Sequence, residues 1–173
     1  MKIFATSDSH FWHERIITLC KRPFSSVEIM NECLIENWNA KVSPDDLVIH
    51  CGDFALCSAE RFDEVIKRLR GRKILVKGNH DSRSIMFYLD HGFSFVCNYF
   101  SLKNILFTHK PLSYIEVCDS KFTEALNVHG HIHNNIETVE YGISSQKRIN
   151  VSVEVTDYFP VSLDEILFRK EEE

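Results

Sequence analysis

Residues 129–133 read HGHIH, so three of the nine histidines in the chain fall within five positions. Four other short stretches carry kindred donors: SDSH (Asp8, His10), CGDF (Asp53), KGNHD (Asn79, His80) and FTHK (His109). Asp8, His10, Asp53, Asn79, His80, His109, His131 and His133 together offer carboxylate oxygen, amide oxygen and imidazole nitrogen, with no thiolate. That donor set suits Mn, Fe, Ni or Zn, with Mn favoured, rather than a soft-metal site. The donors are too many for one divalent ion and comfortable for two that share a bridging carboxylate. Two ions roughly 3.5–4 Å apart can activate a bridging water and stabilise both oxygens of an in-line displacement at phosphorus. Burying so many polar groups without an ion would leave them unpaired at high cost. In DSH and in HIH the donors are two positions apart, which in an extended segment turns both to one side. Gly52 and Gly78 precede donors where the backbone must turn sharply and admit a bulky ligand.

The elements that must position these residues follow from hydrophobic pattern. Met1 to Thr6 reads as a strand, and the polar turn SDSH follows it at once. Ser25 and Glu28 form a capping box for a helix in which Met30, Leu34 and Trp38 recur at helical spacing. LVIHC is a short apolar strand running into GDF. Ser58 caps a second helix whose Phe62, Val65, Ile66 and Leu69 share a face, with Gly71 just past its end. KILVK is a third strand, running into GNHD. Strand, helix, strand in this order predicts parallel strands with crossover helices, an α/β fold. Beyond it the pattern looks more antiparallel. FSFVCNYF and NILFTH suggest one hairpin, LNVHG a further strand, and IETVEYG with RINVSVEV a second hairpin. Five donor-bearing stretches thus sit just past the C-terminal ends of strands, the side of an α/β sheet where ligands bind.

Composition fits one ordinary globular domain over residues 1–173: 44% apolar and 26% charged residues. A net charge of −5 supplies no basic field for a long nucleic acid, so a small phosphorylated substrate is the expected partner. No apolar run reaches membrane-spanning length, and MKIFATSDSH is too soon polar for a signal peptide. The six cysteines are scattered without a CxxC pair and read as reduced, packed side chains of a cytoplasmic protein. Residues 169–173 read as a solvated acidic tail.

The same residues resemble a known family. DxH (Asp8, His10), GD (Asp53), GNHD (Asn79, His80), a lone histidine after a strand (His109) and GHxH (His131, His133) occur in order, as in the calcineurin-like metallophosphoesterase superfamily. HFWHERII resembles a subgroup of small bacterial and phage-type phosphoesterases, in which His13 would line the pocket. The resemblance implies a sandwich of two mixed β-sheets flanked by helices, in α/β/β/α layers. It implies that Asp8, His10 and His133 hold one ion, that Asn79, His109 and His131 hold the other, and that Asp53 bridges them. His80 would be the general acid at the leaving-group oxygen rather than a ligand. The implied reaction is in-line attack of a metal-bridging hydroxide on a phosphate ester, with small phosphodiesters or nucleotides favoured as substrates. A phosphomonoesterase on the same site, or a non-catalytic interaction module of the same fold, are the alternatives. The protein phosphatases of the superfamily carry GDxVDRG and RGNHE, whereas this chain has GDFAL and KGNHD, which argues against that activity. Lys77 stands where the RGNHE arginine would be and is a candidate phosphate contact, although a lysine lacks the bidentate grip. Many relatives place Thr or Pro near GHxH, where this chain has GHIHNN. An amidohydrolase reading of HIH fails, because 173 residues are too few for a barrel of about 250.

Other residues take plainer roles. His50 and His91 read as surface or satisfied core histidines, and His129 as support or burial beside the ligand loop. Asp81 reads as a helix N-cap, Arg83 as a solvated helix residue in preference to a phosphate contact, and Trp12 and Phe54 as core or pocket wall.

Overall fold

The computed structural model of the protein describes residues 1–112, 126–135 and 148–172. The chain order is β1 (Ile3–Thr6), α1 (Glu14–Leu19), α2 (Val27–Lys41), β2 (Leu47–His50), α3 (Ala59–Arg68), β3 (Arg72–Val76), α4 (Ile85–Asp90) and β4 (Phe95–Cys97). Then come β5 (Tyr99–Leu102), β6 (Ile105–Thr108), β7 (Leu126–His129), β8 (Arg148–Asn150), a 3₁₀ turn (Val153–Val155), β9 (Val161–Ser162) and α5 (Leu163–Glu172). The strands form two sheets, ordered β4-β3-β2-β1-β9 and β5-β6-β7-β8. In the first, β1 to β4 run parallel and β9 is antiparallel to β1. In the second, β6 to β8 run parallel and β5 is antiparallel to β6.

Burial follows the pleat. Phe4, Val48 and Leu75 point to one side of the first sheet and pack with Met30, Leu34 and Trp38 of α2 and Phe62, Val65 and Ile66 of α3. Ala5, Ile49, Ile74 and Val76 point to the other side and meet Ile105, Phe107, Leu126 and Val128 of the second sheet. Ile166 of α5 joins this inner core at the β1–β9 edge. The chain is therefore an α/β sandwich of two mixed sheets with flanking helices, as expected. β6 and β7 bury all four of their residues; ILFT of β6 reads as a nearly continuous apolar run, whereas LNVH of β7 buries two polar side chains, Asn127 and His129.

Several local expectations are corrected. Helix α2 is capped by Ser26, whose extended backbone lets its Oγ accept the Ile29 N–H at 3.3 Å; adjacent serines have the same capping chemistry, and only the chain path chooses between them. FSFVCNYF and NILFTH do meet in a hairpin, but only the second part of the former, from Tyr99, forms its arm. FSFVCNYF divides at Asn98, with Phe95–Cys97 pairing parallel to β3 and Tyr99–Leu102 pairing with β6. The later strands are mostly parallel, since the stretch between β6 and β7 exceeds the dozen or so residues that a parallel crossover needs. RINVSVEV is a strand only to Asn150 and then turns into the 3₁₀ segment. The proposed IETVEYG arm and Cys118 lie outside the described residues. The chain end, α5, is helical to Glu172. Its start is a capping box in which Ser162 N–H donates to Glu165 and Glu165 N–H donates back to Ser162 Oγ.

Because β1, β2 and β3 are parallel, and β6, β7 and β8 likewise, their C-terminal ends deliver six loops. The loops are stitched together: Asp8 N–H donates to Gly52 O, His10 N–H to Asp53 O, Gly130 N–H to His109 O and Val153 N–H to Ser7 O.

Candidate metal centre

The loops bring two donor groups together. Asp8, His10 and His133 form one, and Asp53, His109 and His131 the other, with the donor atoms of each group within 4.8 Å of one another. Asn79 joins the second group, its Oδ1 lying 2.9 Å from His109 Nε2. Between the groups stands Asp53, whose Oδ2 is 3.6 Å from His10 Nε2 and 3.4 Å from His109 Nε2.

Asp8, Asp53, His109 and His133 are each held by one atom and leave another facing inward. Asp8 Oδ2 accepts the His131 N–H and the Ser152 hydroxyl, while Oδ1 is buried with no hydrogen-bond partner. Asp53 Oδ1 accepts the His80 N–H, which leaves Oδ2 toward the centre. His109 donates through Nδ1 to the Cys51 carbonyl at 2.8 Å, so its Nε2 carries the lone pair. His133 Nδ1 meets Glu154 Oε1 at 2.8 Å, which presents Nε2 toward Asp8, 3.8 Å away. His10 Nε2 is buried and unpartnered. Orphaned donors of this kind, converging from both sheets, fit two divalent cations and are costly without them.

The electrostatics agree. Burial holds the Asp8 carboxyl above its usual range, although His133, His109 and hydrogen bonds pull the other way. Burial, with Arg22 and the neighbouring histidines, pulls His10 far down, so its ring is neutral and available as a ligand. Burial also opposes charge on His133, but bonds from Cys20 and Glu154 and the charges of Glu154 and Asp8 hold it at about 10. A cation bound there must therefore displace a proton.

The backbone is strained where it matters. Asp8 (φ 57°), His10 (50°), Asp53 (56°), His131 (71°) and His133 (51°) all occupy the left-handed region, at a cost on the order of 1–2 kcal/mol each. The two-residue spacing in DSH and HIH thus works through turns and not through the extended segment expected from sequence. Half of the ten non-glycine residues with positive φ among the described residues are these donors, and strain held at ligand positions points to a ligand-bound function. Gly52 has φ +98°, and a Cβ there would meet His109 Nδ1 at 2.5 Å. Gly78 has no such φ; its need is for space, since a Cβ would strike the Asp53 carboxylate.

Residues outside the motifs support the donors. Arg22, fully buried, donates to the carbonyls of Asp8 and Ser9 and binds Glu154 Oε1 through Nε and Nη2. Asp81 is not a helix N-cap; Ser84 caps α4. The buried Asp81 carboxylate instead accepts the N–H groups of Gly78, Asp53 and Phe54 and braces two ligand loops. Sequence reasoning missed Arg22, Ser152 and Glu154. The only signal was the alternation in VSVEV, which sets Ser152 and the charged Glu154 between valines.

The remaining candidates fall as follows. His13 Nδ1 is 3.2 Å from His10 Nδ1, and its ring is 6.2 Å from that of His80. His80 lies at the rim, its side chain 45% exposed, with Nε2 4.0 Å from Asp53 Oδ2. Lys77 is engaged elsewhere, donating to the Arg83 carbonyl. Exposed Arg83 donates to the Cys57 carbonyl and stacks on Phe87. His50 is a satisfied core histidine: it accepts Gly52 N–H at Nδ1, so Nε2 donates to Ser9 Oγ. His91 meets the Phe87 carbonyl, and buried His129 the Gly130 carbonyl. Phe54 is core, and half-buried Trp12 lies under Arg61. Among the described residues no helix is long and apolar enough to cross a membrane.

Comparison with known proteins finds relatives of the chain. A model of the calcineurin-like phosphoesterase superfamily domain matches residues 1–151, which include every donor above but not Ser152 or Glu154. An uncharacterized protein of Methanocaldococcus jannaschii is 39% identical over 172 residues, 96% of this chain and 89% of that one. A crystal structure of a protein of unknown function from Aquifex aeolicus superposes with a TM-score of 0.72 at 30% identity, over 95% of this chain and 97% of the other.

Proposed function

The chain belongs to the calcineurin-like phosphoesterase superfamily, and on that premise we propose that it hydrolyses small phosphodiesters or nucleotides with two divalent cations, manganese favoured. The family and the two donor groups support a metal-dependent phosphoesterase in general. The observation that carries the two-cation reading is Asp53 Oδ2, within 3.6 Å of one group's His10 and 3.4 Å of the other's His109.

Asp8, His10 and His133 would hold one ion, Asn79, His109 and His131 the other, and Asp53 both. When bound, such ions lower the pKa of a water and take up charge on phosphoryl oxygens. His80 gives a proton to the departing oxygen, a contribution on the order of 10²–10⁴ in rate. A cavity of about 220 Å³ lined by His80, Ser82, Arg83, Tyr88 and Leu56 opens beside it and offers room for the leaving group. His13, beside His10 and His80, forms part of the substrate wall. The engagement of Arg22, Lys77 and Arg83 with protein carbonyls or carboxylate supports the diester over the monoester, because a diester brings less charge to balance.

The test is hydrolysis of bis-p-nitrophenyl phosphate against p-nitrophenyl phosphate by protein stripped with chelator and reloaded with Mn²⁺. Metal-dependent turnover of the diester in excess of the monoester is expected. Faster monoester turnover would reverse the substrate assignment. Two bound ions without turnover of either ester would favour an interaction module.

A further inference from the structure

His133 belongs to two donor groups at once. Through Nε2 it faces Asp8. On its other side, Cys20, His133 and Glu154 offer sulfur, nitrogen and oxygen donors within 4.8 Å of one another. The ring nitrogen on that side is Nδ1, 2.8 Å from Glu154 Oε1. A second observation marks the place as unfinished. The Glu154 side chain is only 1% exposed, yet its Oε2 has no hydrogen-bond partner, although Oε1 is shared by Arg22 and His133. Cys20 ends α1 half-buried and free of any disulfide. A cavity of about 310 Å³ lined by Leu19, Cys20, His131, His133 and Asn134 opens it to solvent. Sulfur, imidazole and carboxylate are the donors of a soft or borderline cation, unlike the oxygen- and nitrogen-only set of the main centre.

We propose that Cys20, His133 and Glu154 form a separate cation site for a thiophilic divalent ion, zinc or cadmium, whose occupation withdraws His133 from the main centre. The two sites need opposite tautomers. A neutral imidazole has one lone pair, and the main centre uses it at Nε2 while Nδ1–H is bonded to Glu154. An ion at the second site takes Nδ1 and the proton there leaves to solvent, so the N–H that remains on the ring is at Nε2, where it faces Asp8 and blocks coordination. The Cys20 thiol proton leaves to solvent as the thiolate–metal bond forms. Arg22, already against Glu154, and the positive charge of a neighbouring ion both oppose simultaneous filling. The thiophilic ion and the catalytic pair are therefore antagonists, and each weakens the other by the same factor. The antagonism rests on the metal reading of the previous subsection; the Cys20 site itself does not.

Cadmium titrated into metal-free protein tests the site through the ultraviolet charge-transfer band of a cadmium–thiolate bond. One equivalent of band is expected in the wild type and none in Cys20→Ser. Slowed alkylation of Cys20 by iodoacetamide in the presence of Cd²⁺, read by mass spectrometry, gives the same answer without a variant. Repeating the titration at saturating Mn²⁺ should weaken cadmium binding by about tenfold or more, and only when Cys20 is present. An undiminished band in Cys20→Ser with unprotected Cys20 would overturn the site. Additive binding of both metals would overturn the antagonism. A Cys20-dependent band in protein that binds no Mn²⁺ would remove the proposed function and leave the cation site standing.

Discussion

Asp81 and Asp53 belong to different loops, yet the Asp81 carboxylate accepts the Asp53 N–H at 2.7 Å, and also those of Phe54 and Gly78. The residue that holds no metal in our reading thus sets the position of the one that faces both groups. An amide has one acceptor oxygen and an NH₂ that meets other N–H groups. Asp81→Asn is expected to cost about 2–3 kcal/mol, in the range of one or two charge-assisted bonds lost in a buried place. It should also loosen metal binding through Asp53. Chemical denaturation and calorimetric metal titration of the same variant check both effects; unchanged metal affinity would make Asp81 a purely structural brace.

Ligand and acid are separable. Asp53→Asn removes the oxygen nearest both groups and is expected to weaken both ions together. His80→Ala should keep the full metal complement and slow turnover by on the order of 10²–10⁴. A metal count beside kcat decides the matter, and equal metal loss in the two variants would refute the division of roles.

Glu154 orients His133 from behind. Replacing it with the isosteric Glu154→Gln removes the charge that favours Nδ1–H and leaves Arg22 buried without its counter-ion. The affinity of the more weakly held cation should fall by about 10- to 100-fold, with a lower melting temperature from the stranded guanidinium. Thermal melts with and without Mn²⁺ separate the two consequences. If the melting temperature drops while affinity holds, Glu154 serves Arg22 alone.

Acid should destabilise the metal-free protein through His50. Burial, with the His109 charge adding, pulls this ring down to about 3. Between about 6.5 and 3 the unfolded chain binds a proton that the folded one refuses, so the stability is full above pH 6.5 and declines below it. At pH 4.5 the loss from this one ring is on the order of 3 kcal/mol. In His50→Gln the decline of melting temperature between pH 6.5 and 4.5 should be shallower than in the wild type. Parallel declines would show that the acid sensitivity lies in other groups.

How much of this was legible in the sequence depended on the range of the interaction involved. The donors were legible because Asp8, Asp53, Asn79, His109 and His131 each follow a strand that apolar periodicity reveals, and parallel strands must carry such loops to a common end. The sandwich itself was legible through the same runs and the family resemblance. Register and sheet membership were less so: nothing local makes FSFVCNYF divide at Asn98, since both halves have the same pattern and only pairing with β3 and β6 tells them apart. Asp81 looked like a helix cap because an aspartate before a helical stretch has that chemistry, and two of its three true partners, Asp53 and Phe54, come from a loop 27–28 residues earlier.

The sequence by itself determined which atoms are present for chemistry and which end of the sheets they reach, because residue type and strand period are local properties. Tertiary structure decided which atom of each residue is free. His133 presents Nε2 because Glu154 takes Nδ1, His109 because the Cys51 carbonyl takes its Nδ1, and Lys77 is engaged by the Arg83 carbonyl. Those choices are made by partners up to 58 residues away for His109 and 132 for Arg22 with Glu154. A hydrogen bond requires an approach to about 3 Å, and only the folded chain creates it.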